Sequence, residues 1–581
     1  MIALSLLAYS AVAVHWGWTK EPPIIRSDAE GYYGYLRAIF INKDLGHEAP
    51  NDTYVHRTPD GTLNKYFAGE AVLLLPFFLA GHVWAWCTGA PQDGLSTPYQ
   101  HAVGVAALCY LAIGLLAFRG FLRRSGVRDG IVACIIAVLV CGTQLSQYAA
   151  MQPGWSHVYS FALIALFLLA AQGYATNRVP RQGIVLAFLF GLIVLVRPVN
   201  ALVLLALPLV WGERSRALLA GLLRRPMLLL VMGMVVSAVV SVQLFLWHAQ
   251  VGHWFADGYK GEGFYWDRPQ VIKVLFSVRR GLFLWAPVLL APVVALVVLW
   301  RTDRFRAIAA AVYWAANTYV ISCWWVWYYG SGWGQRVFVD HYTVLFFPLA
   351  LVLNNARPRM IRGIMVVLGG LCMFTLAQFH QYRIGLIDPE CMDRDKYADV
   401  FLRFDKAHAY PWGGRYRVPP FSPHGCDTLM HERWDGTTAE PHWSGRTLQW
   451  PGAPSGNDVV VLDEQHEFGP GFSVPADQLP RGRAFYIGLG FERMVRDTGD
   501  TRDILVVVSI NEADGTLSFY DRFRMEPMRP VPGVWQHLEY RMDAAAVKDG
   551  ATLKVYFWNQ RGRKGFLADD LDLTLMAVRP Y

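Results

Sequence analysis

A series of long apolar runs constrains this chain more than any other feature, because such runs leave few ways to fold in water. A helix needs about 20 mostly apolar residues to cross a bilayer. Charged residues make up only 17% of the chain, whereas a soluble domain carries about 25%. We therefore predict a polytopic α-helical membrane protein. The predicted spans are residues 1–18, 99–118, 129–149, 157–175, 183–197, 199–212, 227–249, 280–300, 307–324, 340–355 and 362–379.

Five short connections between these spans are rich in arginine, and they predict the orientation of the chain. They are residues 119–128, 178–181, 214–225, 301–306 and 357–362. Positively charged loops stay on the cytoplasmic side of a membrane, which places the amino terminus inside the cell and the carboxyl terminus outside it. The same rule explains the net charge of +8 without a nucleic-acid partner. The run at 1–18 lacks a basic start and a cleavage site, so we interpret it as a retained span.

Two regions do not fit this simple scheme. The spans on either side of Arg197 and Pro198 are short for a crossing, and we expect a tight or partly re-entrant pair. The run 67–86 is apolar enough to span, yet a crossing there would separate the first outer loop from the C-terminal region. It also contains Glu70 and Pro76. We expect it to dip into the outer leaflet or to lie along it.

The first outward-facing loop begins with an acidic stretch that has two competing interpretations. Asp28 and Glu30 lie just past the first span, where a carboxylate can serve as a general base. Ser27 and Glu30 also have the spacing of a capping box, which begins a helix. The apolar face of that predicted helix is formed by Tyr32, Tyr35, Leu36, Ile39 and Phe40. Sequence alone leaves both interpretations open.

The other outward-facing loops bring cations to the same side of the membrane. Lys65 ends the first loop, His157 follows the second, Arg279 and Arg280 end the third, and Arg336 ends the fourth. An arginine can hold a phosphate through two parallel hydrogen bonds. Each of these residues also has an ordinary structural explanation, such as a snorkelling side chain at a helix end. Their convergence on one face favours an active site.

These motifs together resemble the GT-C superfamily of integral-membrane glycosyltransferases, which includes protein O-mannosyltransferases and the lipid A aminoarabinose transferase. The resemblance covers about residues 1–380. It rests on the stretches 27–33, 64–69, 197–198, 277–283 and 332–336. The chain departs from the family at Phe67-Ala68, where the family has prolines, and at Ala29, which separates two acids that the family keeps adjacent.

The resemblance implies a reaction in a bacterial inner membrane. A sugar would move from a polyprenyl-phosphate donor to an extracytoplasmic glycan, lipid or protein, with inversion at the anomeric carbon. Asp28 would be the catalytic base and Glu30 would orient the acceptor. No acidic cluster has the spacing of a metal site, but some members of the superfamily use a divalent cation, so metal dependence stays open.

The resemblance also assigns roles to residues of the outer loops. The donor phosphate would bind Lys65, Arg280 and Arg336. The substrate site would be lined by Tyr33, His157 and Trp333.

The last third of the chain differs in character from the apolar part. Residues 381–430 are polar and predict an extracytoplasmic connecting segment. Its Cys391 and Cys426 have two interpretations, a disulfide or an unpaired structural role. Residues 431–581 contain short alternating runs between turn residues, which predict an antiparallel β-sandwich. Its closing runs resemble those of jelly-roll carbohydrate-binding modules. Trp535 and Trp558 have two interpretations, stacking on sugar or packing in the core.

Two other functions remain compatible with this sequence. A transporter or flippase for a glycan or lipid-linked sugar would also be polytopic, but such proteins show internal repeats and broken helices with polar groups at the midplane. We find no clear repeat in the chain. A glycan ligase with a diphosphate-linked donor would keep the fold type and change the donor.

Overall fold

The computed structural model describes most of the chain after residue 23. The described residues are 24–49, 54–259, 262–330, 332–387, 392–405, 408, 426–436, 440–456, 458–479, 485–496, 504–525, 531–544, 547–559 and 565–578. The predicted span at 1–18 and the predicted pairing of the Cys391 and Cys426 side chains lie outside them.

The amino-terminal part of the chain forms a helical unit with one continuous apolar core. Its α-helices are α1 (Asp28–Arg37), α2 (Gly69–Thr88), α3 (Thr97–Arg124), α4 (Asp129–Gly142), α5 (Leu145–Ala150), α6 (His157–Asn177), α7 (Pro180–Val196), α8 (Leu207–Trp211), α9 (Ser215–Leu223), α10 (Pro226–Val251), α11 (Val271–Phe276), α12 (Leu282–Trp285), α13 (Leu290–Thr302), α14 (Arg304–Ser322), α15 (Tyr342–Asn354), α16 (Pro358–Arg383) and α17 (Arg394–Val400). A π-helix lies at Ala38–Asn42, and 3₁₀-helices lie at Pro198–Ala206, Gly212–Arg214, Pro287–Leu289 and Arg336–His341. The strands β1 (Val55–Thr58) and β2 (Gly61–Asn64) form a hairpin between α1 and α2.

Several of these helices have the length and composition of membrane spans. Among the described residues, six qualify: α2, α3, α6, α10, α16 and the continuous segment Arg336–Asn354. Three more, Asp129–Gly142, Pro180–Val196 and Pro287–Thr302, are apolar but shorter. The chain is therefore a membrane protein with several apolar helices, and the number of crossings stays a prediction.

Two predicted spans are interrupted in the structure. The span at 129–149 ends its first helix at Gly142, because Thr143 has an extended backbone before α5 begins. The span at 280–300 breaks at Pro287, which has no N–H for a helical hydrogen bond. The 67–86 run forms α2, a continuous helix that includes Pro76. Its length and composition suit a crossing. Whether it crosses the membrane or only dips into the outer leaflet, as we expect, stays a prediction.

Hydrogen bonds link arginines of the basic connections to one another or to the ends of neighbouring helices. Arg128 donates to the backbone carbonyl of Asn354 at 2.8 Å, and Arg225 donates to the carbonyl of Arg178 at 2.8 Å. Arg306 donates to a backbone carbonyl of α8 at 3.1 Å. Such contacts are expected when the connections share one end of a helix bundle. The assignment of that end to the cytoplasm stays a prediction.

The carboxyl-terminal part is an antiparallel β-sandwich, as the alternating runs predict. Its strands are β3 (Cys426–Trp434), β4 (Trp443–Ser444), β5 (Arg446–Gln449), β6 (Asp458–Leu462), β7 (Phe468–Pro475), β8 (Phe485–Met494), β9 (Ile504–Asn511), β10 (Leu517–Arg524), β11 (Gln536–Ala544), β12 (Thr552–Asn559) and β13 (Phe566–Val578), with a 3₁₀-helix at Ala476–Gln478. One sheet has the order β10-β9-β12-β7-β4 and the other β11-β8-β13-β6-β5, with β3 paired to β13. The two sheets share a core in which the Phe491 and Phe557 rings meet at 5.0 Å.

The alternation of side chains in the five-stranded sheet determines which residues face outward. Along β12, Val555 and Phe557 point into the core, so Tyr556 and Trp558 point away from it. Along β10, Phe519 packs against the core, so the next residue, Tyr520, points away from it. This outer surface faces the helical unit, because the Tyr520 ring meets the Trp325 ring of that unit at 4.9 Å.

Candidate active site

A cavity of about 540 Å³ lies where the helical unit meets the sandwich. Its wall includes the start of α1, the end of the first loop, the end of α7 and the two aromatic loops before α11 and after α14. Three of the predicted site residues line it: Asp28, Lys65 and Arg336. Stretches that are hundreds of residues apart in sequence thus surround one space.

Asp28 is the first residue of α1 and contacts two side chains in this cavity, one through an ion pair and one through a hydrogen bond. Its Oδ2 lies 2.8 Å from Nη1 of Arg336, and its Oδ1 accepts a hydrogen bond from the Tyr66 hydroxyl at 3.0 Å. The guanidinium of Arg336 lies over the Trp155 ring, 4.3 Å from its centroid. Ser27, just before Asp28, has a φ of 55°, which is a strained value for a side-chain-bearing residue and is typical of functional sites.

The surroundings of Asp28 keep its carboxylate ionised. Burial raises the pKa of Asp28, but Arg336 and the Tyr66 hydroxyl, with a smaller contribution from Lys65, outweigh burial and hold the pKa below its ordinary value of 3.8. The Asp28 side chain therefore carries a negative charge at neutral pH, as a general base must.

A glycine allows Tyr66 to reach Asp28. A β-carbon at Gly31 would lie 2.2 Å from the Tyr66 ring, so only glycine leaves room for it. Tyr66 then packs against Tyr32 with ring centroids 4.4 Å apart. The side-chain amide of Asn64 donates to the Gly31 carbonyl at 2.8 Å and fixes the hairpin against α1. Gly31 and Asn64 together therefore allow the contact between Asp28 and Tyr66.

The capping box is not formed. The Ser27 side chain makes no capping hydrogen bond, because its backbone lies in the left-handed half of φ. The Glu30 carboxylate accepts a hydrogen bond from the Tyr54 hydroxyl and does not line the cavity. The apolar face of α1 is also shorter than expected, since Phe40 lies in the following π-helix and is exposed.

Lys65 lies on the cavity wall beside an acid and an aromatic ring. Its Nζ is 2.6 Å from Oε1 of Glu262 and 5.3 Å from the centroid of the Tyr259 ring. Both partners belong to the third outer loop, which follows α10. The first and third outer loops therefore meet at this lysine.

Arg280 differs from the prediction because it lies outside the cavity. Its side chain is only 2% exposed. Its guanidinium donates to the backbone carbonyls of Gly332 and, at 3.0 Å, Gly330. Gly330, Gly332 and Gly334 all have positive φ, so this loop has a tightly turned backbone. Arg280 thus holds the loop that leads to Arg336, and its side chain faces the protein interior.

His157 belongs to a buried polar network behind the cavity. Its Nδ1 lies 2.8 Å from Oδ1 of Asp340. Asp340 also accepts a hydrogen bond from Asn200 at 2.8 Å and lies 3.6 Å from Nε of Arg197. Arg197 is the member of the network that lines the cavity. The network holds Arg197 in place as a third cation of the cavity, beside Lys65 and Arg336. In the sequence, Arg197 stood out only as part of an Arg-Pro pair.

Tyr33 and Trp333 do not reach the cavity either. The hydroxyl of Tyr33 donates to the Gly94 carbonyl at 2.7 Å, on the side of α1 that packs on α2. The buried ring of Trp333 packs against Phe379 at 5.2 Å. Tyr33 therefore faces α2 and Trp333 faces α16, and both side chains point away from Asp28.

The cavity is also lined by residues that were not among the predicted site residues. They include Arg197, Tyr259, Tyr520 and Arg522. Trp558, for which stacking on sugar was one interpretation, also lines the cavity and is not part of the sandwich core. The sequence does contain a signal for this position of Trp558, because Trp558 alternates with the core residue Phe557 along β12 and must point outward.

The described residues do not offer the donor set of a divalent metal site. Among them, no group of three or more His, Cys, Asp or Glu side chains lies close enough to hold an ion. The carboxylate oxygens of Asp28 contact Arg336 and Tyr66 instead.

Comparisons with known proteins give weak matches. No protein-family model matches the chain, and no curated protein matches its sequence. Arabinosyltransferase EmbB from Mycobacterium smegmatis is 12% identical, over 99% of this chain and 64% of its own, with a TM-score of 0.36. The CBM22-1 xylan-binding domain of Paenibacillus barcinonensis Xyn10C is 14% identical, over 27% of this chain and 97% of that domain, with a TM-score of 0.21. Similarity at this level assigns the chain to no family.

Proposed function

We propose that this protein is a membrane glycosyltransferase that moves a sugar from a polyprenyl-phosphate donor to an extracytoplasmic acceptor. The single observation that supports this best is the contact of the ionised Asp28 with Arg336 in a cavity that Lys65 and Arg197 also line. Such a site offers a base for the acceptor and cations for a phosphate leaving group. The cavity adjoins apolar helices, which suits a donor that carries a lipid.

The proposed reaction is a direct displacement. Asp28 accepts the proton of an acceptor hydroxyl while that oxygen attacks the anomeric carbon of the donor. The bond between the anomeric carbon and the phosphate oxygen breaks, and the bonding electrons leave with the polyprenyl phosphate. Arg336 and Lys65 stabilise the negative charge that develops on the phosphate. The new glycosidic bond has inverted configuration, so a second carboxylate is not required.

The ion pair also suggests how donor binding prepares the base. A phosphate bound beside Arg336 competes with Asp28 for the guanidinium, because both are oxygen anions that suit its hydrogen-bonding geometry. A weakened ion pair raises the pKa of Asp28, since burial then counts for more. Asp28 thereby becomes a stronger base when the donor is in place.

The test is a comparison of Asp28→Asn with the wild type in membranes that lack the native enzyme. At matched expression, we expect Asp28→Asn to lose transfer of radiolabelled sugar by about 100- to 10,000-fold while donor binding is retained. Asp129→Asn, at an exposed acid of α4, is the matched control and should transfer normally. The donor panel contains polyprenyl-phosphate sugars and diphosphate-linked glycans.

Each other result has a defined meaning. Full activity of Asp28→Asn contradicts the proposed base and moves the search to Glu30 and His157. Transfer only from diphosphate-linked glycans favours a ligase. No transfer by the wild type from any donor on the panel contradicts the glycosyltransferase and favours a transporter.

A further inference from the structure

The outer surface of the five-stranded sheet forms part of the cavity that contains Asp28. Tyr520 and Arg522 of β10 and Trp558 of β12 line it together with the helical unit. Tyr520 and Arg522 are two residues apart on one strand, so their side chains leave the same face of the sheet. The sandwich thus contributes side chains to the proposed reaction site as well as lying beside it.

The junction between the two units holds this sheet face in place. Arg279 contacts Asp521 Oδ1 at 2.7 Å, donates to the backbone carbonyl of Arg522 at 2.5 Å, and lies 3.6 Å from the centroid of the Tyr328 ring. Tyr520 meets the Trp325 ring at 4.9 Å across the same junction. The Arg279 contact reaches the backbone of Arg522, and the side chain of Arg522 lines the cavity.

Arg522 and Trp558 form a positioned pair on the cavity wall. The guanidinium of Arg522 lies 5.4 Å from the centroid of the Trp558 ring. The indole N–H of Trp558 donates to Glu467 at 2.9 Å, and its ring stacks on Phe468 at 6.3 Å. Both contacts orient the ring, as a preorganised binding surface requires. The pair therefore places a guanidinium beside an aromatic ring on the cavity wall.

We infer that Arg522 and Trp558 bind a sugar ring of a glycan acceptor and direct its hydroxyl to Asp28. This inference rests on the proposed function and names its acceptor class. The donor brings a lipid and needs the apolar helices, whereas the described residues after Arg383 include no helix long enough to cross a membrane. The sandwich wall thus suits the water-soluble partner. The hydroxyls of a sugar ring can accept hydrogen bonds from a guanidinium while the face of the ring packs on an indole. A lipid chain has no hydroxyls for the guanidinium.

The matched control is a second arginine–tryptophan pair on the same domain. Arg496 lies 5.4 Å from the Trp450 ring centroid, and neither residue lines the cavity. Arg496→Ala therefore removes the same chemistry at a different place. Arg522→Ala, Trp558→Ala and Arg496→Ala are compared in the full chain, with a deproteinised envelope glycan from a strain lacking the enzyme as the acceptor probe.

We expect Arg522→Ala and Trp558→Ala to raise the half-saturating glycan concentration about tenfold, which corresponds to about 1.4 kcal/mol. The half-saturating donor concentration should stay within about twofold of the wild type, and Arg496→Ala should change neither. A binding titration of the same glycan, followed by tryptophan fluorescence, needs no transfer. It therefore tests the subsite even where the donor has been wrongly assigned.

Three results would overturn the inference. The first is unchanged glycan binding in both cavity variants. The second is a rise in the half-saturating donor concentration alone, which would assign Arg522 to the donor phosphate. The third is transfer by the wild type to membrane protein and not to the deproteinised glycan, which would identify a polypeptide acceptor. A wild type that binds the glycan but transfers no sugar contradicts the proposed function and leaves the glycan subsite supported.

Discussion

Two arginine–aspartate ion pairs of the helical unit have the same length and very different surroundings. Arg123 and Asp129, in a basic connection, are 2.8 Å apart, with side chains 48% and 69% exposed. Arg336 and Asp28, in the cavity, are also 2.8 Å apart, with side chains 15% and 20% exposed. The distance between the charged atoms therefore does not distinguish a surface pair from a site.

The difference lies in what else surrounds each pair. Water screens the exposed pair, and such pairs contribute about 0–1 kcal/mol. Arg336 is additionally held over the Trp155 ring, and Asp28 by the Tyr66 hydroxyl. A partly desolvated pair makes each charge depend strongly on its partner. Only the second pair can therefore change the ionisation of an acid when a phosphate competes for its arginine.

Among the changes that compare the two pairs, removal of the cavity arginine should have the largest effect. Arg336→Gln should lower the rate constant for sugar transfer by about 100- to 1,000-fold, because the leaving phosphate loses a cation inside the cavity. Arg123→Gln should leave the rate within about twofold, because its partner is exposed. Both are measured with radiolabelled donor at matched expression. Equal rates in the two variants would remove the distinction between the pairs.

A smaller effect is expected from Arg280, the buried arginine that lies outside the cavity. Arg280→Gln leaves the carbonyls of Gly330 and Gly332 without their donor, at a cost of about 1–3 kcal/mol each. The melting temperature in detergent should fall, and transfer should fall about tenfold as the loop before Arg336 loosens. Half-saturating donor concentration should change little.

The sequence analysis assigned Arg280 to the donor phosphate, and that role predicts the opposite change in both measurements. A direct phosphate ligand would raise the half-saturating donor concentration strongly and leave the melting temperature near that of the wild type. The variant Arg280→Lys separates the two roles further. A lysine retains the positive charge that a phosphate needs, but it cannot reproduce the fork of donors that spans two carbonyls.

Much of the fold follows from the apolar runs, because length and composition suffice to identify a bilayer-crossing helix. The helices α3, α6, α10 and α16 were predicted in this way. The breaks at Thr143 and Pro287 were not, since one residue changes the backbone without changing the composition of a run. The sandwich was predictable because its strands alternate and turn residues separate them.

The site was only partly predictable for a different reason. The sidedness of the loops predicts that Asp28, Lys65 and Arg336 share one face of the membrane, and the three side chains do line one cavity. The sidedness of the loops cannot distinguish the roles of the adjacent residues Arg279 and Arg280. Arg279 holds the sandwich and Arg280 holds a glycine-rich loop, as their tertiary contacts alone reveal. The approach of β10 to the cavity has no sequence signal, because it depends on how two units dock.

The smallest predicted effect concerns the hydrogen bond from Tyr66 to Asp28. Tyr66→Phe removes a donor that stabilises the carboxylate, so the pKa of Asp28 should rise toward the value that burial favours. The acid limb of the pH profile of kcat/KM should then move to higher pH. At neutral pH, Asp28 remains ionised in both proteins, and transfer should fall no more than about tenfold. Tyr54→Phe removes a hydroxyl that contacts Glu30 and should leave the limb in place.

The sign of this shift follows from the ionisation of Asp28. Its folded-state pKa lies below 3.8, so the stabilising ion pair is fully present above that value and is lost as the pH falls through the folded-state pKa. The wild type should therefore show no loss of kcat/KM attributable to Asp28 between pH 7 and about pH 5. An acid limb that moves in Tyr54→Phe and not in Tyr66→Phe would assign the base to Glu30. The Asp28–Arg336 pair would then resemble the surface pair in function as well as in length.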